Sequence, residues 1–531
     1  MGAGPAIDDL LRATSARLQP LEREANEAWW LASTQVSDVH ERRRVAADVA
    51  LRCALGDVTV FAEVRAALAD GAPPDSPARR QLEVLHDRLL PQQVPADLRT
   101  ELAELEAALD ATFNSFRGTI DGAEVTDNEI VAILRTSDDA DARRAAWEAS
   151  KQVGAAVAER VRRLAHLRNR AARHLGHRDH FALALATSEL DESRLFATLD
   201  AVDAATAAPF AAWKAELDAR LAARFGTTVD ALAPWHYDDP FFQDPPAAGA
   251  IDLDPWFTDA DLEALTLRTY AGIGLDVAPV LARSDLLPRP AKSQHAFCID
   301  IDRAGDVRVL CNNEPNEYWT ETMLHEFGHA LYDVHVSPDL PWLLHDMHPL
   351  LTEGIAMMFG RLVRDPEWLV AVAGLPAADV AAAEAELARA RRAKLLVFAR
   401  WVLVMTHFER SLYEDPDQDL DARWWDLVTR YQGVRPPAGR AAPDWAAKLH
   451  VALAPVYYQN YLYGELFASQ LQASLTETFG GLVDRPAAGA HLVERVFAPG
   501  QAMRWDALVE HATGAPLGVD ALAEELDRLD V

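Results

Sequence analysis

His325-Glu326-x-x-His329, inside ETMLHEFGHALYDVH (residues 321–335), sets two imidazoles one helical turn apart with a carboxylate between them. Residues four apart stack on one face of a helix, so both rings can reach a single ion. Glu326, rotated by about 100° from its neighbour, stands beside that ion, where it can take a proton from an activated water. With 17 histidines in the chain, chance would produce the motif in roughly a few per cent of such sequences. The flanks argue for a site. TETML and ALYDV continue an apolar helix that buries both rings, and a buried pair of imidazoles wants a ligand or hydrogen bonds. Glu321 and Asp333, one turn outside the histidines, are candidates to orient them, although residues so placed are more often simply solvated.

A third ligand is needed. His335 fits the spacing H-E-x-x-H-x-x-G-x-x-H, but that pattern turns off the helix at a glycine. The chain has Tyr332 there, which does not take left-handed backbone angles cheaply. The rival is Glu353 in HPLLTEGIAMMFG, 24 residues after His329, on what reads as a second helix. Pro338, Pro341 and Pro349 break the chain between them, so an antiparallel return to the ion is feasible. Two histidines, a glutamate and an open position for water form a standard catalytic zinc arrangement. The predicted ligands are therefore His325, His329 and Glu353, with His345 and His348 left as loop residues.

The elements that must hold these groups read as mostly α. In 147–176 the positions Val153, Val157, Val161, Leu164, Ala171 and Leu175 repeat at helical spacing, and Gly176 suits the stop. Proline- and glycine-rich breaks fall at 70–77, 89–95, 238–249 and 431–439, and none has the composition of a flexible linker. One strand pair is convincing: AFCIDIDRAGDVRVLCNN, directly upstream of the motif. Centred on RAGD, its simplest register sets Cys298 opposite Cys311, near disulfide distance. Three cysteines in the whole chain suit a reducing compartment, where both should remain thiols.

The chain has 531 residues, half of them apolar, and a formal net charge of −31. That charge argues against nucleic acid or an anionic membrane as partner. MGAGPAIDDLLRATSARLQP lacks the basic-then-apolar order of a secretory signal, and LLVFARWVLVM (395–405) is too short to span a bilayer and carries Arg400. The expectation is a cytoplasmic location.

With Glu353 as third ligand, the chain resembles the angiotensin-converting-enzyme family of zinc peptidyl-dipeptidases (peptidyl-dipeptidase A), as an intracellular-type relative. WWDLVTRYQGVRPP (424–437) is similar to the family's Trp-Trp…Tyr-Gln-Gly…Pro-Pro segment. AAKLHVALAPVYYQNYLYGELFASQ (446–470) resembles its Lys-x-His…Tyr-x-x-Tyr segment, with one extra residue between. QHAFC (294–298) lies where the family has its His-Ala substrate strand, and PFFQ (240–243) resembles its Trp-Ala-Gln. EREANEAWW (22–30) and ILRTSDDADARRAAWEA (133–149) look like its opening helices.

The resemblance implies one mostly-α catalytic domain over residues 1–531, a gluzincin with two lobes around a deep cleft and a small β-hairpin beside the zinc helix. Lid helices would occupy about 1–115, the zinc segment about 295–360, and the substrate and oxyanion segment about 424–470. One zinc ion would be held by His325, His329 and Glu353, with Glu326 as general base and then proton donor. Tyr461, supported by His450, would donate to the oxyanion. His295 and the backbone of Ala296 would hold an oligopeptide as a strand. Gln243, Lys448 and Tyr458 would grip its free C-terminal carboxylate, a task that a lysine, a phenol and an amide can perform. The implied activity is release of C-terminal dipeptides.

Three departures matter. Asn460 and Val428 stand where the family has chloride-binding arginines, which argues against chloride activation; Met357 replaces an aspartate one turn after the third ligand. Two rival readings are a zinc oligoendopeptidase, which would not need the Gln243–Lys448–Tyr458 trio, and a non-catalytic peptide binder. The second is disfavoured because Glu326, Tyr461 and all three ligands are present.

Overall fold

A computed structural model of the chain describes residues 5–70, 72–73, 75–246 and 251–530. Residues 71 and 74 of the first predicted break and 247–249 of the third lie outside that set. The architecture is helical throughout, with two antiparallel two-stranded sheets among the described residues. Contacts divide the chain into two compact units, each assembled from three stretches: Met1–Gln93, Leu253–Glu384 and Tyr463–Leu522, and then Val94–Asp252, Ala385–Leu462 and Ala523–Val531.

In the first unit, helices Pro5–Thr34, Asp38–Leu55, Val58–Asp70 and Pro77–Leu89 pack around Leu18, Val64, Leu82, Leu85 and Leu89, all buried. Ser37 and Ser76 cap the second and fourth of these by accepting backbone amides. The first helix also covers strands β3 (Phe297–Asp300) and β4 (Val307–Leu310), where Trp30 packs with Ile299, Ile301 and Leu310. The helix bearing the motif runs from Glu317 to His335, capped by Asn316, whose side chain accepts the Trp319 amide at 2.8 Å. It continues through Tyr332 to His335 without a turn-off, as Tyr332 requires. A second helix, Pro349–Gly360, starts on a proline at a position where no amide partner is needed.

The second unit is built on the helices Ala140–His174 and Glu192–Arg224 and most of Ala377–Glu414. The first, capped by Asp139, begins at Ala140, seven residues before the predicted start, and ends at His174, with Gly176 just beyond at φ +88° as its stop. The apolar run 395–405 is core: its Arg400 is buried and donates to the Tyr431 carbonyl at 2.8 Å and to Asp203 at 2.5 Å. Glu192–Arg224 is long and apolar enough by composition to cross a membrane. Its buried residues Leu195, Leu199, Val202, Thr206, Phe210, Leu217 and Leu221 nonetheless follow the stripe of a helix packed on one side. A second hairpin, β1 (Gly118–Ile120) with β2 (Ala123–Val125), was not anticipated, although its Asp121-Gly122 turn is a hairpin signal.

The cysteine pairing needs correction. Cys298 lies opposite Val309, and Phe297 opposite Leu310, so Cys311 is displaced from Cys298 along the strand. The Asp300 carboxylate accepts the amides of Asp302 and Arg303, which starts the turn one residue earlier than a register centred on RAGD. All three cysteines are free.

Candidate metal centre and substrate-binding groups

The two helices that carry the predicted ligands run antiparallel, with Gly360 facing Glu321 and Gly328 facing Ala356. Glycine is what allows the approach. A Cβ on Gly328 would lie 2.9 Å from the Ala356 Cα, and one on Gly354 would lie 2.8 Å from the Gly464 carbonyl oxygen. On the other side, Gly464 leaves room for the Glu353 Cβ, 3.1 Å from where its own would be. Three backbones thus close around Glu353, which is buried. His325 Nε2 and His329 Nε2 stand 3.8 and 3.9 Å from Glu353 Oε2. Donor atoms of these three residues all lie within 4.8 Å of one another. Ligands at about 2.0–2.1 Å in a tetrahedron are separated by roughly 3.3 Å, so this donor set fits one zinc ion with small adjustment.

The electrostatics suit the same use. Burial and the neighbouring His325 hold His329 well below the usual imidazole range, which keeps it in the neutral form that a metal takes. Burial, and then the Glu353 charge, push Glu326 up to about 8, opposed by the Cys298 amide that donates to it. A dication beside it would draw that value down. His335, the rejected ligand, gives its Nδ1 to the Leu331 carbonyl of its own helix at 2.9 Å. His348 bonds the Met503 carbonyl at 2.8 Å.

Orientation of His329 comes from a residue the sequence reading passed over. Its Nδ1 is 2.6 Å from Thr352 Oγ1. With Nε2 turned toward Glu353, Nδ1 carries the proton and donates it to that hydroxyl. The only signal was a hydroxyl residue immediately before the third ligand. Neither anticipated carboxylate is placed as simply as expected: Glu321 carries an ion pair with Arg364 at 2.9 Å, and Asp333 has the Cys298 thiol as its polar partner at 3.9 Å.

Strand β3 turns its outer edge toward Glu326. Ile301 donates its amide across the hairpin to the Asp306 carbonyl at 3.0 Å, so residues 297, 299 and 301 face β4. Residues 296, 298 and 300 then face outward, and their groups are found there: the Cys298 amide on Glu326, and the Asp300 carbonyl accepting Asn26 Nδ2 at 3.0 Å. Ala296, at the head of the strand, is next in that outward series, with exposed His295 before it. The approach is fixed from below by Lys292, fully buried at its side chain, which donates to the Asp285 carboxylate and the Leu287 carbonyl at 3.0 and 2.8 Å.

In the second unit Lys448 donates to Gln243 Oε1 at 2.7 Å and lies 5.3 to 5.8 Å from the ring centroids of Phe241, Trp401 and Tyr458. Burial pulls its ammonium down to about 8, with Asp239 and Asp244 opposing. Tyr458 in turn packs at an angle against His450 and Tyr461, with centroids at 5.0 and 5.5 Å. Gln243, Lys448, Tyr458, His450 and Tyr461 are therefore neighbours in space, as the predicted roles need. Val428 lines a pocket with Trp147, Lys151, Phe241, Trp424 and Asp444. The ammonium of Lys151 sits 3.2 Å from the Phe241 ring centroid and already has the carboxylates of Asp444 and Asp239 beside it. Asp444 is also paired with Arg440 at 2.6 Å.

A family model for the M2 peptidases, described as angiotensin-converting enzyme, matches residues 6–210 and 283–523. The angiotensin-converting enzyme of Theromyzon tessulatum is 23% identical over 276 residues, 49% of this chain and 44% of that protein. The chain thus aligns with less than half the length of this relative.

Proposed function

Because the chain belongs to the angiotensin-converting enzyme family of zinc peptidases, we propose that it removes dipeptides from the free C-terminus of oligopeptides. Convergence of His325, His329 and Glu353 beside a buried Glu326 and the outward edge of β3 is the observation that carries the reading. Zinc held by those three residues would polarise the scissile carbonyl and acidify a water. Glu326 takes the proton of the attacking water and returns it to the departing amine. Ala296 pairs its backbone with the extended peptide, and His295 flanks it. The Tyr461 hydroxyl donates a hydrogen bond to the oxyanion of the tetrahedral species, with His450 as its support. Lys448, Gln243 and Tyr458 receive the terminal carboxylate two residues beyond the cut, which sets the register. The whole chain acts as one catalytic domain, without dependence on chloride, and works in the cytoplasm, a location supported by three free cysteines.

Mass spectrometry of products from a mixed peptide library tests the reading. Successive loss of C-terminal dipeptides is expected. Fragments cut at internal bonds, irrespective of the distance to the terminus, would instead make the protein an oligoendopeptidase.

A further inference from the structure

Val456, in the short link between His450 and the helix that begins at Tyr458, has φ +55°. That is left-handed backbone, a genuine outlier for a β-branched residue. Buried side chains hold both of its polar backbone groups. Its amide donates to Glu409 Oε1 at 2.6 Å, and its carbonyl accepts Gln459 Nε2. Four residues earlier the Ala452 carbonyl accepts Arg168 Nη2 at 2.8 Å, and Arg168 also donates to the Tyr413 hydroxyl at 3.2 Å. Glu409 itself is completely buried, and its Oε2 has no hydrogen-bond partner among the described residues. A carboxyl group placed so expensively is more than packing requires. Burial raises it to about 8, with the Val456 amide and Arg168 opposing, so it stands largely neutral at pH 7.

We propose that Glu409 is a positioning residue for the oxyanion donor: from the helix Ala377–Glu414 it clamps the strained turn at Val456 and thereby sets the start of the helix that presents Tyr461. The inference rests on the role given above to Tyr461. All of these groups lie within the second unit. No contact of Glu409 with substrate is involved.

Steady-state kinetics of the zinc-loaded full chain, with zinc content and thermal melting recorded for each variant, test the clamp. Glu409→Met should lower kcat at least about tenfold, with a smaller rise in KM because Tyr458 starts the same helix and with zinc content little changed, since misplacing a catalytic group by about 1 Å can cost about 10²-fold. Glu409→Gln keeps an oxygen for the Val456 amide and should restore kcat. Val456→Gly should rescue Glu409→Met, because glycine adopts positive φ without a clamp. In a Tyr461→Phe background, Glu409→Met should add no further loss of kcat. A folded Glu409→Gln enzyme that loses kcat tenfold, or a Glu409→Met loss undiminished in the Tyr461→Phe background, would overturn the clamp alone. A Tyr461→Phe enzyme with normal kcat would instead overturn the assignment of Tyr461 and with it this inference.

Discussion

A matched pair of peptides, one with a free C-terminal carboxylate and one amidated, probes Lys448 directly. Burial lowers its ammonium from an ordinary value of 10.5 to about 8. At 1.36 kcal/mol per pK unit, the charged side chain of the free protein is disfavoured by about 3 kcal/mol. A bound carboxylate recovers that energy and an amide does not. The free acid should therefore be cut about 10²-fold more efficiently in kcat/KM near pH 7, within the range of about 2–5 kcal/mol for orphaning a buried charge pair. The sign of the pH effect follows. As pH rises through about 8, Lys448 of the free enzyme loses its proton, so the advantage of the carboxylate shrinks toward parity near pH 10. Taking the ratio of the two peptides cancels the titration of Glu326. Initial rates by chromatography supply the ratio at each pH, and Lys448→Ala should flatten it to near one throughout. A wild-type ratio near one at pH 7, or one that does not change with pH, would refute the argument.

Other expectations concern the metal, the chemistry and the packing. Glu353→Gln should strongly lower zinc content by elemental analysis while His335→Ala leaves it unchanged, and equal losses in both would sink the ligand assignment. Glu326→Gln should retain zinc and lose turnover, because an amide cannot accept the water's proton; measurable single-turnover hydrolysis by that variant would count against it. Exchanging chloride for acetate at constant ionic strength should leave kcat nearly flat, with a several-fold dependence as the contrary result. Gly354→Ala should cost about 1–3 kcal/mol in denaturant unfolding, since its Cβ would meet the Gly464 carbonyl oxygen at 2.8 Å. A neutral effect would show that the helices can part.

Groups related by short spacing were legible in the sequence. His325 and His329 converge because four residues of helix bring them together, and Tyr332 told correctly that the helix would not turn toward His335. The antiparallel return to Glu353 could be read from prolines that stop one helix and start the next. Gln243 and Lys448, 205 residues apart, could be joined only through the family resemblance, since no local pattern encodes that approach. Thr352 escaped for the same reason: its hydroxyl matters only once two helices have packed. The cysteine register failed on a smaller scale, where the Asp300 carboxylate moved a turn by one residue. Side-chain capture of backbone amides competes with strand pairing, and composition does not show which will win.

The glycine contacts around Glu353 bear on how the protein acquires its ion. Where the helices close on Gly328, Gly354 and Gly464, with the Phe359 and Phe467 rings packed against the same contacts, they have little room to repack or slide. On that packing both rings and the carboxylate should be in place before any cation arrives, so loading and folding would be separate events. In small zinc modules the metal's binding energy is the folding energy, and a chelator unfolds them. Here a chelator would strip the ion from a scaffold that keeps its shape, and the same chain could exchange one divalent metal for another without passing through an unfolded state.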